Sequence, residues 1–181
     1  MSNIKKITVT AVSIALCVVL PMAFHGIQNA GQVFLPMHIP VLLCGLICGP
    51  QYGLLCGLSG PALSMLLTGM PPAAILPSMM VELAVYGLVT GLVMSFVHTG
   101  KLYADVYVAL ILAMIAGRVV AGVCKALIFS RGAYSMNAWV ASSFVTALPG
   151  IAIQLLIIPA VVFALMKAHV VPERAHKGKL A

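Results

Sequence analysis

Charge is what this chain has least of. Asp and Glu together number 3 among 181 residues, Lys and Arg number 10, and charged residues make up 7% of the whole. Soluble domains carry roughly 25%. So few charges cannot clothe a water-facing surface. With 62% hydrophobic residues and a mean hydropathy of +1.15, most of that surface must meet lipid. The chain also lacks a Gly-rich Walker loop, so energy for any active transport has to come from partners or an ion gradient. It shows no inverted repeat with paired broken helices, the usual mark of a secondary transporter. The five cysteines, Cys17, Cys44, Cys48, Cys56 and Cys124, are odd in number and lie inside apolar runs, which favours free thiols over a disulfide framework. Cys44 and Cys48 share a helix face, but no His or acidic residue joins them at ligand spacing, so neither a metal site nor a cofactor site is expected.

What the chain does have is long apolar runs. A transmembrane helix needs about 20 mostly apolar residues, and six segments qualify: 7–24, 33–49, 52–68, 76–97, 106–129 and 138–166. Residues 1–181 therefore read as one all-α integral membrane domain of six helices. The first run follows Lys5 and Lys6 as a signal peptide would, but it is 18 residues long and more spans follow, so it reads as a helix that stays. The second is interrupted by Pro36 and Pro40, and its regular helix is expected to begin only near Pro40. Alternating the spans from a cytoplasmic N-terminus puts Lys5, Lys6, Lys101, Lys167, Arg174, Lys177 and Lys179 inside and Arg131 outside. That bias predicts both termini in the cytoplasm and accounts for the net charge of +7 without invoking nucleic acid.

Small residues recur every four positions. Gly45, Gly49, Gly53 and Gly57 form one series and read as close packing within the bundle. Ala11 and Ala15 form a pair near the cytoplasmic end of the first helix, where a partner protein could dock.

Three ionisable side chains fall within predicted helices: Glu82, Arg118 and Lys125. Such residues must face the bundle interior or water. Counted from the expected helix ends, Glu82 and Lys125 reach similar depths and could pair, with Arg118 two turns deeper and Gln154 at the level of Arg118. Two readings stand side by side. One is a sealed ion pair with Arg118 satisfied by carbonyls. The other is a polar pocket opening outward between the fourth to sixth helices, net positive and suited to an anion. His38, Asn137 and Trp139 fall near the outer ends of their helices. Together with Tyr134 they read either as interface anchors or as ligand contacts. Gly57-Leu58-Ser59-Gly60 matches the GxSG pattern of rhomboid-type intramembrane proteases. That chemistry needs a histidine base, and none of the later histidines sits mid-helix, so Ser59 reads as a packing residue and no enzyme is expected.

Several stretches together carry a resemblance. They are the run from Phe34 to Gly45 (FLPMHIPVLLCG), the turn Gly49-Pro50-Gln51-Tyr52-Gly53, the stretch from Ser64 ending in Thr68-Gly69-Met70-Pro71-Pro72, Glu82 with Tyr86-Gly87, and Ala11-Val12-Ser13-Ile14-Ala15. In this order, over almost the whole chain, they resemble the S components of energy-coupling factor (ECF) transporters. The resemblance implies a six-helix subunit of the bacterial plasma membrane that captures a vitamin or precursor near the outer face. The loops at 25–32 and 68–75 would then be lids. Ala11 and Ala15 would meet a transmembrane coupling subunit, and two cytoplasmic ATPases would drive uptake. Glu82, Arg118, Lys125, Gln154, His38, Tyr86, Asn137 and Trp139 are the candidate substrate residues. The His38-Ile39-Pro40 and Gly69-Met70-Pro71-Pro72 stretches look most like members assigned to pantothenate. Folate, riboflavin, thiamine or a pyridoxine precursor are alternatives, as is an assembly protein without a small-molecule ligand.

Overall fold

The computed structural model describes residues 1–24, 26, 30–129 and 135–168. Among them there is no strand. The first helix, α1, runs Asn3–Ala23 and is capped by Ser2, whose hydroxyl accepts from the Lys5 amide at 3.4 Å. Its buried residues Thr10, Ser13 and Cys17 lie three or four apart, so only one face meets the bundle.

The expected span 33–49 proves to be two helices, α2 (Ala30–Phe34) and α3 (His38–Cys48). The break has a backbone cause. Leu35 adopts a left-handed φ of 51°, strained for a residue with a branched side chain, and Pro36 cannot donate a hydrogen bond. Pro40 sits in the first turn of α3, where its missing N–H costs nothing. A tight turn at Gly49 (φ 99°) leads into α4, Pro50–Thr68, with Pro50 in its first turn and a left-handed Gly69 closing it onto the Met65 carbonyl at 2.9 Å.

Helix α5 (Leu76–Phe96) is the hub, packed on α3, α4 and α6 (Leu102–Cys124). The start of α6 precedes the expected 106 because Asp105 is buried in its first turn. There its carboxylate accepts from the Thr99 amide and hydroxyl at 2.8 and 2.7 Å. A π-helical turn, Lys125–Phe129, extends α6. The expected span 138–166 is broken as well. It comprises α7 (Met136–Val140), a π-helical stretch Ala141–Thr146 and α8 (Leu148–Lys167). Pro149, with no N–H to give the preceding turn, sits in the first turn of α8 and forces the restart at Ala147.

Among the described residues, five stretches are long and apolar enough to cross a membrane: Asn3–Ala23, Gly31–Cys48, Leu76–Phe96, Leu102–Ile128 and Leu148–Lys167. Helix α4 has the length, 19 residues or roughly 28 Å, but its glycines and Gln51, Ser59 and Ser64 make it less apolar.

Three of the four spaced glycines, Gly45, Gly53 and Gly57, form an internal seam, whereas Gly49 is the positive-φ glycine of the turn and has open space where a Cβ would lie. Gly53 lies against the Gly87 backbone, Gly57 against Leu83 and Ala84, and Gly45 against Gly87 and Thr90, leaving no room for a Cβ. Four thiols line the adjoining core: Cys17, Cys44, Cys48 and Cys56 are buried and free, with Cys44 donating to the Thr10 hydroxyl at 3.5 Å. Ala11 and Ala15 lie outside this core and are exposed.

Candidate functional site

At the end of the bundle away from the N-terminus, the helices part around a cavity of about 420 Å³. Its floor is polar. Glu82 projects from α5, and its Oε1 accepts a hydrogen bond from Tyr86 Oη at 3.0 Å, one turn away on the same face. His38 Nε2 approaches that oxygen at 3.8 Å and Arg118 Nε at 4.0 Å. The His38 ring also stands edge-on to Tyr86, centroids 5.3 Å apart, and the Arg118 guanidinium faces the Phe144 ring at 5.7 Å. Three elements, α3, α5 and α6, thus converge on one carboxylate.

The register that brings them together is set by Gly117. A Cβ there would overlap the Tyr86 ring and come within 3.0 Å of the Glu82 carbonyl oxygen, so α6 lies flush against α5 at this level and residue 118 emerges beside Glu82. This corrects the expected pairing. Glu82 pairs with Arg118 and His38, not with Lys125. Lys125 lies seven residues further along, about 10 Å towards the end of the bundle, and lines the upper wall. Among the described residues its side chain makes no ion pair and no hydrogen bond.

Several polar atoms of the floor are unclaimed. Both ring nitrogens of His38 and Nη2 of Arg118 are buried without a hydrogen-bond partner, and these two side chains are only 3% and 4% exposed. Leaving such groups unmatched costs about 1–3 kcal/mol each, so a molecule entering the cavity meets polar groups ready to be satisfied. The walls are apolar and sulfur-rich, with Met37, Met70 and Met79 beside Phe24, Pro36 and Pro71. Trp139 forms part of the opposite wall, its indole seated against Gly122 and its ring edge-on to Phe144 at 5.6 Å.

Of the residues anticipated from sequence, Glu82, Arg118, Lys125, His38 and Trp139 line this cavity. Tyr86 does not; it is fully buried behind Glu82. Gln154 is buried on α8 away from the wall, with both amide atoms lacking a hydrogen bond. Asn137 is exposed on α7. Tyr134 and Arg131 lie outside the described residues, as do His25, residues 27–29 and the basic tail from 169. From the two expected lid loops, Gly31, Gln32, Met70, Pro71 and Pro72 form part of the rim. Sequence reasoning missed Ser78, Met79, Ser142 and Ser143, which also line the cavity. A signal existed. Ser78 and Met79 precede Glu82 by four and three residues, and Ser142 and Ser143 follow Trp139 by three and four, the spacings that share a helix face.

A family model described as the substrate-specific component of ECF transporters matches residues 5–170. No curated protein and no solved structure gives a match.

Proposed function

The chain belongs to the ECF transporter substrate-specific components, multi-pass membrane subunits rather than enzymes, and from that premise we propose that it captures a vitamin or vitamin precursor in the cavity floored by His38, Glu82 and Arg118. The observation that carries the reading is the conjunction of an open cavity with buried, unpartnered donors on Arg118 and His38. About 420 Å³ falls within the range typical of small-molecule sites, roughly 300–1,000 Å³. Apolar walls with a few convergent polar groups are the usual composition of such sites. One carboxylate against two fixed cations, Arg118 and Lys125, favours an anionic ligand, and pantothenate is our first candidate.

In this reading α4 is the sixth crossing, both termini are cytoplasmic, and the cavity opens outward from a bacterial plasma membrane. The exposed Ala11–Ala15 face of α1 meets the coupling subunit, where small residues allow backbones to approach, and two ATPases supply the energy. The alternative of a ligand-free assembly protein would need a dry core with Glu82 locked to Lys125, whereas Glu82 sits with His38, Tyr86 and Arg118 beside a hollow. Calorimetric titration of the detergent-purified subunit with a vitamin panel tests the proposal. Saturable binding of one small vitamin is expected, and an inert panel would overturn it.

A further inference from the structure

Within the proposed capture site, on which this step rests, the two cations are not equivalent. Arg118 has a carboxylate beside it: Glu82 Oε1 lies 4.0 Å from its Nε. The floor is therefore close to neutral, a donor–acceptor surface made of Arg118 Nη2, the His38 ring and Glu82. Tyr86, His38 and Arg118 all approach Glu82 through Oε1, and Oε2 makes no hydrogen bond among the described residues, so it can accept from a ligand hydroxyl or amide N–H. An anion placed at the floor would sit next to Glu82, and like charges at that range repel in a medium poorer in water than bulk. Lys125 is different. It lines the upper wall about 10 Å from Arg118 along the helix, and its ammonium has neither an ion-pair nor a hydrogen-bond partner among the described residues. Among the described residues, the only uncompensated charge facing the cavity is at the upper wall.

We infer that the site binds its ligand with a fixed polarity: the anionic end rises to Lys125, and an uncharged end bearing hydroxyl or amide donors descends to Glu82, His38 and Arg118. The ligand class is then an elongated hydroxy or amido acid with a compact apolar middle, which packs on Met37 and Met79. A molecule with its carboxylate at one end and only hydrocarbon at the other leaves the floor unsatisfied and is rejected, because buried polar groups left unpaired discriminate strongly.

Two measurements test this. Crystals of the whole protein soaked in bromide show by anomalous scattering where a free anion settles. Bromide within reach of the Lys125 ammonium, lost in Lys125→Gln, is expected; bromide beside Arg118, or at neither residue, overturns the inference. The second compares the affinities of pantothenate and pantothenol, in which CH₂OH replaces the carboxylate. Wild type should prefer the acid by about tenfold or more, as expected for a hydrogen bond to a charged group. Lys125→Gln should bring that ratio close to one, while Arg118→Gln weakens both ligands and preserves the ratio. If Arg118→Gln erases the preference and Lys125→Gln keeps it, the polarity is reversed and the inference fails. If neither compound binds wild type, the vitamin assignment fails, and the bromide position alone decides the polarity.

Discussion

Glu82 is the residue on which the site turns, because three other side chains are held by it or hold it. Tyr86 donates to its Oε1 at 3.0 Å from a fully buried position, so Tyr86 acts on a ligand only through Glu82. Tyr86→Phe keeps the ring against Gly117 and removes one hydrogen bond, worth about 0.5–1.5 kcal/mol. A loss of affinity of up to about tenfold, without a change in helical content, is expected from titration and circular dichroism. Gly117→Val should do more. The added carbons meet the Tyr86 ring and the Glu82 carbonyl, shifting the carboxylate itself, and binding should fall below detection while the protein still inserts in membranes. Ser59 supplies the contrast. Its hydroxyl donates to the Leu55 carbonyl at 2.6 Å, one turn back on its own helix, so Ser59→Ala should leave ligand affinity unchanged and thermal stability within about 0.5 kcal/mol. The ionisable residues could be read from sequence as facing inward, since lipid leaves them no alternative. Their pairing could not be read, because it depends on the sliding register of α6 on α5. That register is fixed by a glycine whose role shows only once the Tyr86 ring is seen lying on it.

At the scale of elements, run length in an apolar chain was enough to locate most helices, because a continuous apolar run of about 20 residues can satisfy its backbone in lipid only as a helix, the closed barrel needing short strands of alternating character. The interruptions were less legible. Pro36 pointed to a weak second span, but the left-handed Leu35 that separates α2 from α3 is a conformation held by its surroundings. Nothing local in the sequence asks for it. The π-helical stretches Lys125–Phe129 and Ala141–Thr146 are of the same kind. Both adjoin the cavity, as such irregularities often do at functional sites. The glycine seam was legible from its four-residue spacing, and its energetic weight can be tested. In Gly53→Leu, side-chain atoms would have to occupy space held by the Gly87 backbone, which cannot retreat without moving α5. Overpacking of this sort costs typically 1–3 kcal/mol, and a helix displaced from its neighbour costs more. The expected result is a clear fall in the detergent melting temperature together with weakened binding, since α5 carries Glu82.

For the whole molecule, the proposed function puts capture and delivery in different places: the cavity at one end of the bundle, and the exposed α1 face that carries Ala11 and Ala15. Separation by position predicts separation of phenotype. Ala11→Trp or Ala15→Trp should abolish vitamin uptake by cells while the purified variant binds as wild type does. Loss of binding in the purified variant would mean that the face belongs to the bundle itself.

Whether the His38–Glu82–Arg118 floor holds a small ligand can be decided by titrating the same vitamin panel into purified wild type and Arg118→Gln. One vitamin should bind wild type with a Kd below about 1 μM and the variant at least about tenfold more weakly. Equal affinity in the two proteins, or no vitamin bound by wild type at that strength, would contradict that role for the floor.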